Sequence, residues 1–311
     1  MKRRFFFGAV LAITALSLTA NSLWAQQAPK PLLISSGADG GTYFRLVKEL
    51  GDVCTGLFEN RASTGSLENL DRVTGNQSEM GITQFDALYL RGQREADIKS
   101  RIRVLAMLYP EEIHLITKSA PKSEGGYLGT SVGAKMAPLN TINDLRGRKV
   151  GFWGGSTITE KVIASVAYIG WEPVEQVDQR NALSALRGDQ IDAILAVGGQ
   201  PLGWVTDLSR DFKLLEVPDQ VAKQLDAIYN KTTLSYRNLG QDGVQALAVD
   251  ALLVTRNYSS MGMVTRLKGV RDCLANSIGE IRDTRDTHPK WLVIDPAREF
   301  DKWPMFLAAP K

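Results

Sequence analysis

The chain has 311 residues, 44% of them hydrophobic, with 28 glycines and 12 prolines. That is enough for two cores, and the mixture excludes a disordered or fibrous protein. Its 37 basic and 34 acidic residues give a formal charge of +3, and no basic stripe suits nucleic acid.

Lys2, Arg3 and Arg4 precede an uncharged apolar run, Phe5 to Leu18, and a small-residue stretch, Ala20 to Ala25, broken by Leu23 and Trp24. This order predicts a secretory signal peptide over residues 1–25, cut after Ala25. A retained anchor is the alternative, weakened by the short run and the lack of a second one. Arg3-Arg4 is a faint twin-arginine export signal, and no cysteine near the cut offers a lipid anchor. Losing the segment removes three basic residues and no acidic one, leaving 34 of each, so the exported chain is formally neutral. The expected location is the periplasm, which permits a disulfide. Cys54 and Cys273 are the only cysteines; a bridge between them is favoured over two separate buried thiols.

Pro31 to Ser36 reads as a strand, Gly37-Ala38-Asp39-Gly40-Gly41 as a loop, and Thr42 opens a helix to about Phe58 with Tyr43, Leu46, Val47 and Leu50 at helical spacing. A short strand over Glu59 to Ser63 follows. A helix from Gly65 or Ser66 has Leu67, Leu70 and Val73 on one face and Gly75 beyond its end. Met80 to Thr83 and Val104 to Tyr109 are further strands. Later, Lys149 to Trp153 is a strand, Gly154-Gly155-Ser156-Thr157 a loop, Ile158 to Ile169 a helix and Pro173 to Val177 a strand. Asp178 caps a helix that ends at Arg187 before Gly188, and Ile191 to Val197 is an apolar strand. The two regions share one order: strand, Gly-rich loop, Thr, helix, strand, short helix, Gly, strand, Gln. The copies end at Gln84 and Gln200.

This repeat predicts an α/β fold of two similar lobes with mainly parallel sheets. Glu111 to Lys118 and Val244 to Arg256 are β-type runs outside the copies, and we expect them to cross between the lobes. The expected domains are residues 26–112 with 248–311, and residues 113–247. A helix from about Ser260 to Arg282 should pack back on the first lobe. Ser119 to Asn140 reads as a long loop on the second lobe, and the tail from Asp283, with Trp291 and Trp303, as a surface wrap.

In open parallel sheets ligands bind beyond the carboxyl ends of the strands. Four turns qualify: Gly40-Gly41-Thr42-Tyr43, Thr64-Gly65-Ser66, Gly154-Gly155-Ser156-Thr157 and Gly198-Gly199-Gln200. Helix starts leave amide donors unpaired and carry partial positive charge, so their convergence favours a carboxylate-type guest. Tyr43 and Trp153 would supply flat walls, and Gln84 and Gln200 polar groups from opposite sides. The bland alternative for each is a turn, a cap or a packing residue. Catalytic sets are missing: His114 and His288 stand alone, without a metal spacing, and no nucleophile elbow or phosphate loop is found. No enzyme activity, metal or cofactor is therefore expected.

Several stretches resemble one family in its own order. They are Ser36-Gly37-Ala38-Asp39-Gly40-Gly41-Thr42-Tyr43, Ser63-Thr64-Gly65-Ser66-Leu67-Glu68-Asn69-Leu70 and Gly81-Ile82-Thr83-Gln84. Leu108-Tyr109-Pro110-Glu111, Asn143 to Val150, Ala185 to Ala193 and His288-Pro289 follow. The chain so resembles the TAXI solute receptors of TRAP transporters, also described as NMT1-like periplasmic binding proteins. The resemblance implies a type II periplasmic binding fold, which closes by hinge motion on a small organic anion such as an amino acid or dicarboxylate. It implies a TRAP-type membrane permease as partner and, we expect, a monomer. A sensor presenting its ligand to a membrane signalling partner is the alternative on the same fold. Arg45 and Trp153 depart from the family's pattern, as do the 119–140 loop and the chain after Pro289.

Overall fold

The computed structural model describes residues 29–120 and 137–306. The expected signal segment of residues 1–25 and most of the expected 119–140 loop lie outside them. In chain order, β1 (Leu32–Ser35), α1 (Thr42–Val53), β2 (Phe58–Arg61), α2 (Ser66–Thr74), β3 (Met80–Gln84), α3 (Phe85–Arg94) and α4 (Ile98–Arg101) lead into β4 (Ile102–Lys118). Then come β5 (Lys149–Phe152), α5 (Ser156–Ala167), β6 (Glu172–Glu175), α6 (Gln179–Arg187), β7 (Ala193–Gly198), α7 (Gly203–Thr206), β8 (Phe212–Leu214) and α8 (Asp219–Gln224). β9 (Asn230–Tyr236), β10 (Gln241–Arg256) and α9 (Met261–Asp283) complete the order before a 3-10 turn at Pro289–Leu292.

Among the described residues ten strands share one mixed sheet, with the path β2-β1-β3-β10-β4-β7-β5-β6, β8 beside β4 and β9 beside β10. β1, β2 and β3 are mutually parallel, as are β5, β6 and β7. These two parallel sets are the two halves of the α/β fold. β4 and β10, 17 and 16 residues long, run antiparallel through the middle and belong to both. The runs Val104–Tyr109 and Glu111–Lys118 are thus one strand, not two. Pro110 lies within it, opposite Asp250, beside a register shift between Asp250 and Leu252. A bulge is where a strand interior tolerates a residue that cannot donate to the ladder.

Local chemistry explains the other differences. α1 stops at Val53, short of Phe58, because Gly56 takes φ +76 and turns the chain into β2. Phe58 is then buried, its ring 3.5 Å from the position of a Cβ on Gly51. In α2 the buried positions are Ser66, Asn69, Leu70 and Val73, a helical face that leaves Leu67 47% exposed. Asn69 occupies that face because its Nδ2 donates to Ser36 O at 2.5 Å and Ile82 O at 2.7 Å, tying the ends of β1 and β3 together. The Asp178 cap forms as expected, accepting the Asn181 amide at 2.9 Å.

The tail is not a surface wrap. Trp291, Ile294, Phe300, Trp303 and Phe306 are all buried, and Phe300 and Trp303 lie edge-on to Phe85 of α3. A charged, proline-containing segment hides five apolar anchors whose spacing follows neither helix nor strand, so periodicity does not reveal them. Cys54 and Cys273, 219 positions apart, are joined by a disulfide that ties the end of α1 to α9.

Connectivity also decides where the strand ends point. β3 and β4 both run antiparallel to β10, so they point the same way; β7 runs antiparallel to β4, so it points back. The carboxyl ends of the two parallel sets therefore face each other along β4. Gln84, the last residue of β3, pairs with Ala251, next to the Asp250–Pro110 pair. Gly198, the last residue of β7, pairs with Glu112. The ends meet over residues 110–112.

Candidate functional site

The turn before α1 is shaped by glycine. Gly40 takes φ +81, and a Cβ on Gly41 would stand 3.0 Å from Ala38 O, the acceptor of the Gly41 amide. Thr42 Oγ1 lies 3.4 Å from His288 Nε2. Tyr43 points to the strand crossing, where its hydroxyl donates to Glu111 Oε2 at 2.5 Å; Tyr109 donates to the other oxygen at 3.3 Å. Burial raises the Glu111 carboxyl to about 7, opposed by the two tyrosine bonds and helped by the charge of Asp86. Burial also pushes both tyrosines well above their ordinary value.

The Thr64-Gly65-Ser66 turn divides its groups. The Thr64 amide and hydroxyl both donate to Glu68, at 2.7 and 2.8 Å, and these bonds hold that exposed carboxyl below its ordinary range. Ser66 is buried; its Oγ accepts the Gln84 amide at 3.0 Å and lies 3.5 Å from Gln84 Oε1. Gln84 reaches out of the first set of strands toward the second. Its Oε1 is 3.3 Å from where a Cβ on Gly155 would be, so a bare glycine lets the facing turn come close.

In that second turn the first amides of α5 close on the loop itself: Ser156 N to Trp153 O, Thr157 N to Gly154 O and Ile158 N to Gly155 O. Ser156 Oγ accepts the Val197 amide at 3.0 Å, joining α5 to β7. Trp153 lies edge-on to Trp204, 6.0 Å between centroids. Beyond β7, three bonds pin the Gly198–Leu202 loop. The Gln200 amide donates to Glu112 Oε2 at 2.6 Å, Gln200 Oε1 accepts the Ser235 amide at 2.7 Å, and the Leu202 amide reaches Tyr236 OH at 2.8 Å. His114 Nδ1 faces the Glu112 carbonyl, which only accepts, so this nitrogen carries the proton and Nε2 accepts from Tyr236.

Tyr43, Ser66, Gln84 and Gly155 are thus brought together near the crossing, with Gly199 and Gln200 beside Glu112. Gly40 and Thr64 are exposed on the rim side of their turns. Gly65 takes φ +119 ahead of α2, and Thr157 is half-buried in the first turn of α5. Two hollows, one including Asp219 and Lys231 and the other Asn140 and Lys213, share Gln245 and contain none of these residues.

Sequence reasoning missed the polar groups of the crossing itself. Glu111 and Glu112 stand in an otherwise apolar strand, and two adjacent acids in such a run are the signal that was there to read. It also missed Asp86, at the start of α3. Asp86 is fully buried, and its Oδ2 accepts from Thr159 of α5 at 2.6 Å and Tyr229 at 3.0 Å, a bond set between the two halves of the fold. Burial raises Asp86 to about 6, and its Oδ1 has no hydrogen-bond partner among the described residues.

Two parallel strand sets with facing carboxyl ends, sharing two long strands, define the class: a two-lobed α/β fold. Residues 34–267 match the model of the NMT1-like family, and the chain belongs to that family. A solved protein of Archaeoglobus fulgidus has the same fold at 14% identity and a TM-score of 0.51, over 86% of this chain and 85% of that one. An ancestral arginine-binding protein bound to arginine is similar at 11% identity, TM-score 0.49, over 82% and 96%. An amino acid ABC transporter substrate-binding protein of Streptococcus pneumoniae, bound to L-arginine, is similar at 15% identity, TM-score 0.48, over 81% and 92%. Among the described residues no helix is long and apolar enough to cross a membrane.

Proposed function

We propose that this protein is an extracytoplasmic receptor that captures a small organic acid, of the amino acid or dicarboxylate type, and hands it to a TRAP-type membrane permease. In this reading residues 1–25 are removed on export. The lobes are 26–112 with 248–311, and 113–247, and they close by hinge motion about β4 and β10. No bond of the ligand is made or broken.

The observation that carries the reading is the meeting of facing turns over residues 110–112, with Gln84 reaching Gly155. Family membership supports it. The donors that remain for a guest are not spread evenly. The α5 amides, Thr64, the Gly41 amide and the Tyr43 hydroxyl are spent on the protein's own acceptors, which shifts the weight to Ser66 and the side-chain amide of Gln84. Glu111, with two tyrosine donors and, among the described residues, no cation at hydrogen-bond distance, gives the region a proton-dependent charge. A ligand amino group would favour its ionised form; a dicarboxylate would favour its neutral form.

Mass spectrometry of ligand carried through native purification identifies the guest. Thermal-shift screening of amino acids and dicarboxylates tests the class. A guest at 100 times its Kd stabilises by about 2.7 kcal/mol. Silence across both classes, from protein shown to be folded and emptied of ligand, overturns the reading.

A further inference from the structure

Lys290 stands in the 3-10 turn Pro289–Leu292 of the C-terminal tail and is buried. Its ammonium donates to Pro110 O at 3.1 Å and to Glu112 Oε1 and Oε2 at 3.2 and 3.1 Å. It also lies 5.4 Å from the ring centroid of Tyr109. One N–H of the ammonium is shared between the two Glu112 oxygens and a second goes to Pro110 O, so most of its donor capacity is spent within the protein. Glu112 passes the connection on, for its Oε2 accepts the Gln200 amide at 2.6 Å. The side chains of this pair are 7% and 10% exposed.

The neighbouring glycine fits the same purpose. A Cβ on Gly199 would fall 2.0 Å from Lys290 Cε and 3.0 Å from Nζ, so the lysine stem fills the space where a side chain at 199 would be. The tail that carries Lys290 is itself anchored. Glu49 of α1 accepts the His288 amide at 3.0 Å and Trp291 Nε1 at 2.6 Å. Arg282 donates to Trp291 O and Ile294 O, at 2.9 and 2.6 Å.

We infer that Lys290 is a positioning residue: it orients the Glu112 carboxylate, and through it fixes the Gly198–Leu202 loop against the strand crossing. The tail thereby becomes a working part of the candidate site, linking the start of α1 to the turn after β7. A buried carboxylate without its cation turns toward water or takes up a proton; the first breaks the bond to the Gln200 amide, and the second replaces a charged acceptor with a weaker neutral one. The consequence for ligand capture rests on the receptor reading above; the geometry and its test do not.

Hydrogen exchange followed by NMR at the Gln200 and Leu202 amides of the ligand-free, full mature chain tests the inference. Lys290→Ala and Gly199→Ala should each speed exchange at these amides at least fivefold relative to the Ile194 and Leu195 amides of β7. The double variant Lys290→Ala/Gly199→Ala should exchange no faster than Lys290→Ala alone, because no stem remains for the new methyl to displace. Should Lys290→Ala fail to fold, Lys290→Met keeps the stem beside Gly199, removes only the ammonium, and should still speed exchange of the Gln200 amide fivefold. Changes below fivefold in the folded variants, or additive effects in the double, overturn the inference. Because no ligand enters the experiment, its failure is separate from a failed ligand screen.

Discussion

Asp86 offers the sharpest test of the packing between the two halves of the fold. Its carboxyl rises to about 6 in the folded chain, chiefly through burial, against about 3.9 when unfolded. The raised value has a definite sign. Between the two values the native state holds a proton that the unfolded state has released, so stability falls as pH climbs from about 4 to about 6 and is level beyond. Two units at 1.36 kcal/mol each amount to about 3 kcal/mol. Asp86→Asn removes the charge and leaves Thr159 and Tyr229 a carbonyl oxygen to donate to. Its NH2 then falls where Oδ1 now has no partner, at a cost of about 1–3 kcal/mol that pH does not change. The offset at one pH is therefore a poor measure and the slope a good one. Urea unfolding of both proteins from pH 4 to pH 7 should show the variant gaining about 3 kcal/mol on the wild type across that range. Asp86 also raises Glu111, so its removal adds a smaller change of the same sign. A difference that stays flat from pH 4 to pH 7 refutes the claim that Asp86 is ionised at neutral pH inside a dry contact.

Further outcomes follow from single contacts. Tyr43→Phe takes away a bond that lowers the Glu111 carboxyl, so Glu111 should titrate higher than its present value of about 7; an NMR titration of carbon-13-labelled glutamate reads this, and no upward change contradicts the bond. Asn69→Leu leaves Ser36 O and Ile82 O without their donor and should destabilise by about 2–4 kcal/mol in urea unfolding, despite a more apolar face. Replacing Cys54 and Cys273 with alanine should cost about 2–5 kcal/mol, and the same loss should appear in the native protein under reductant.

Much of this fold was legible in the chain. Strand runs with short helices after Gly-rich turns indicated two parallel sets, and the duplication of that order indicated two similar lobes. The Asp178 cap and the buried stripe of α1 could be read directly, because each depends on neighbours within a turn or two of helix. The candidate turns could be located on the fold as well, since carboxyl ends of parallel strands lie where helices begin.

What the sequence alone determined were such local matters: which segments alternate, where helices start, and which turns need glycine. The tertiary structure decided which donors in those turns are free. Thr64 is spent on Glu68 and the α5 amides on their own loop, and neither outcome depends on residue type alone. It also brought Glu112, Lys290 and Gly199 together, residues 87 to 178 positions apart in the case of the first with the other two. Their chemistry is a matter of charge and space at one point. That point exists only because β3 and β7 run toward each other along β4, a fact of strand direction that no local pattern encodes.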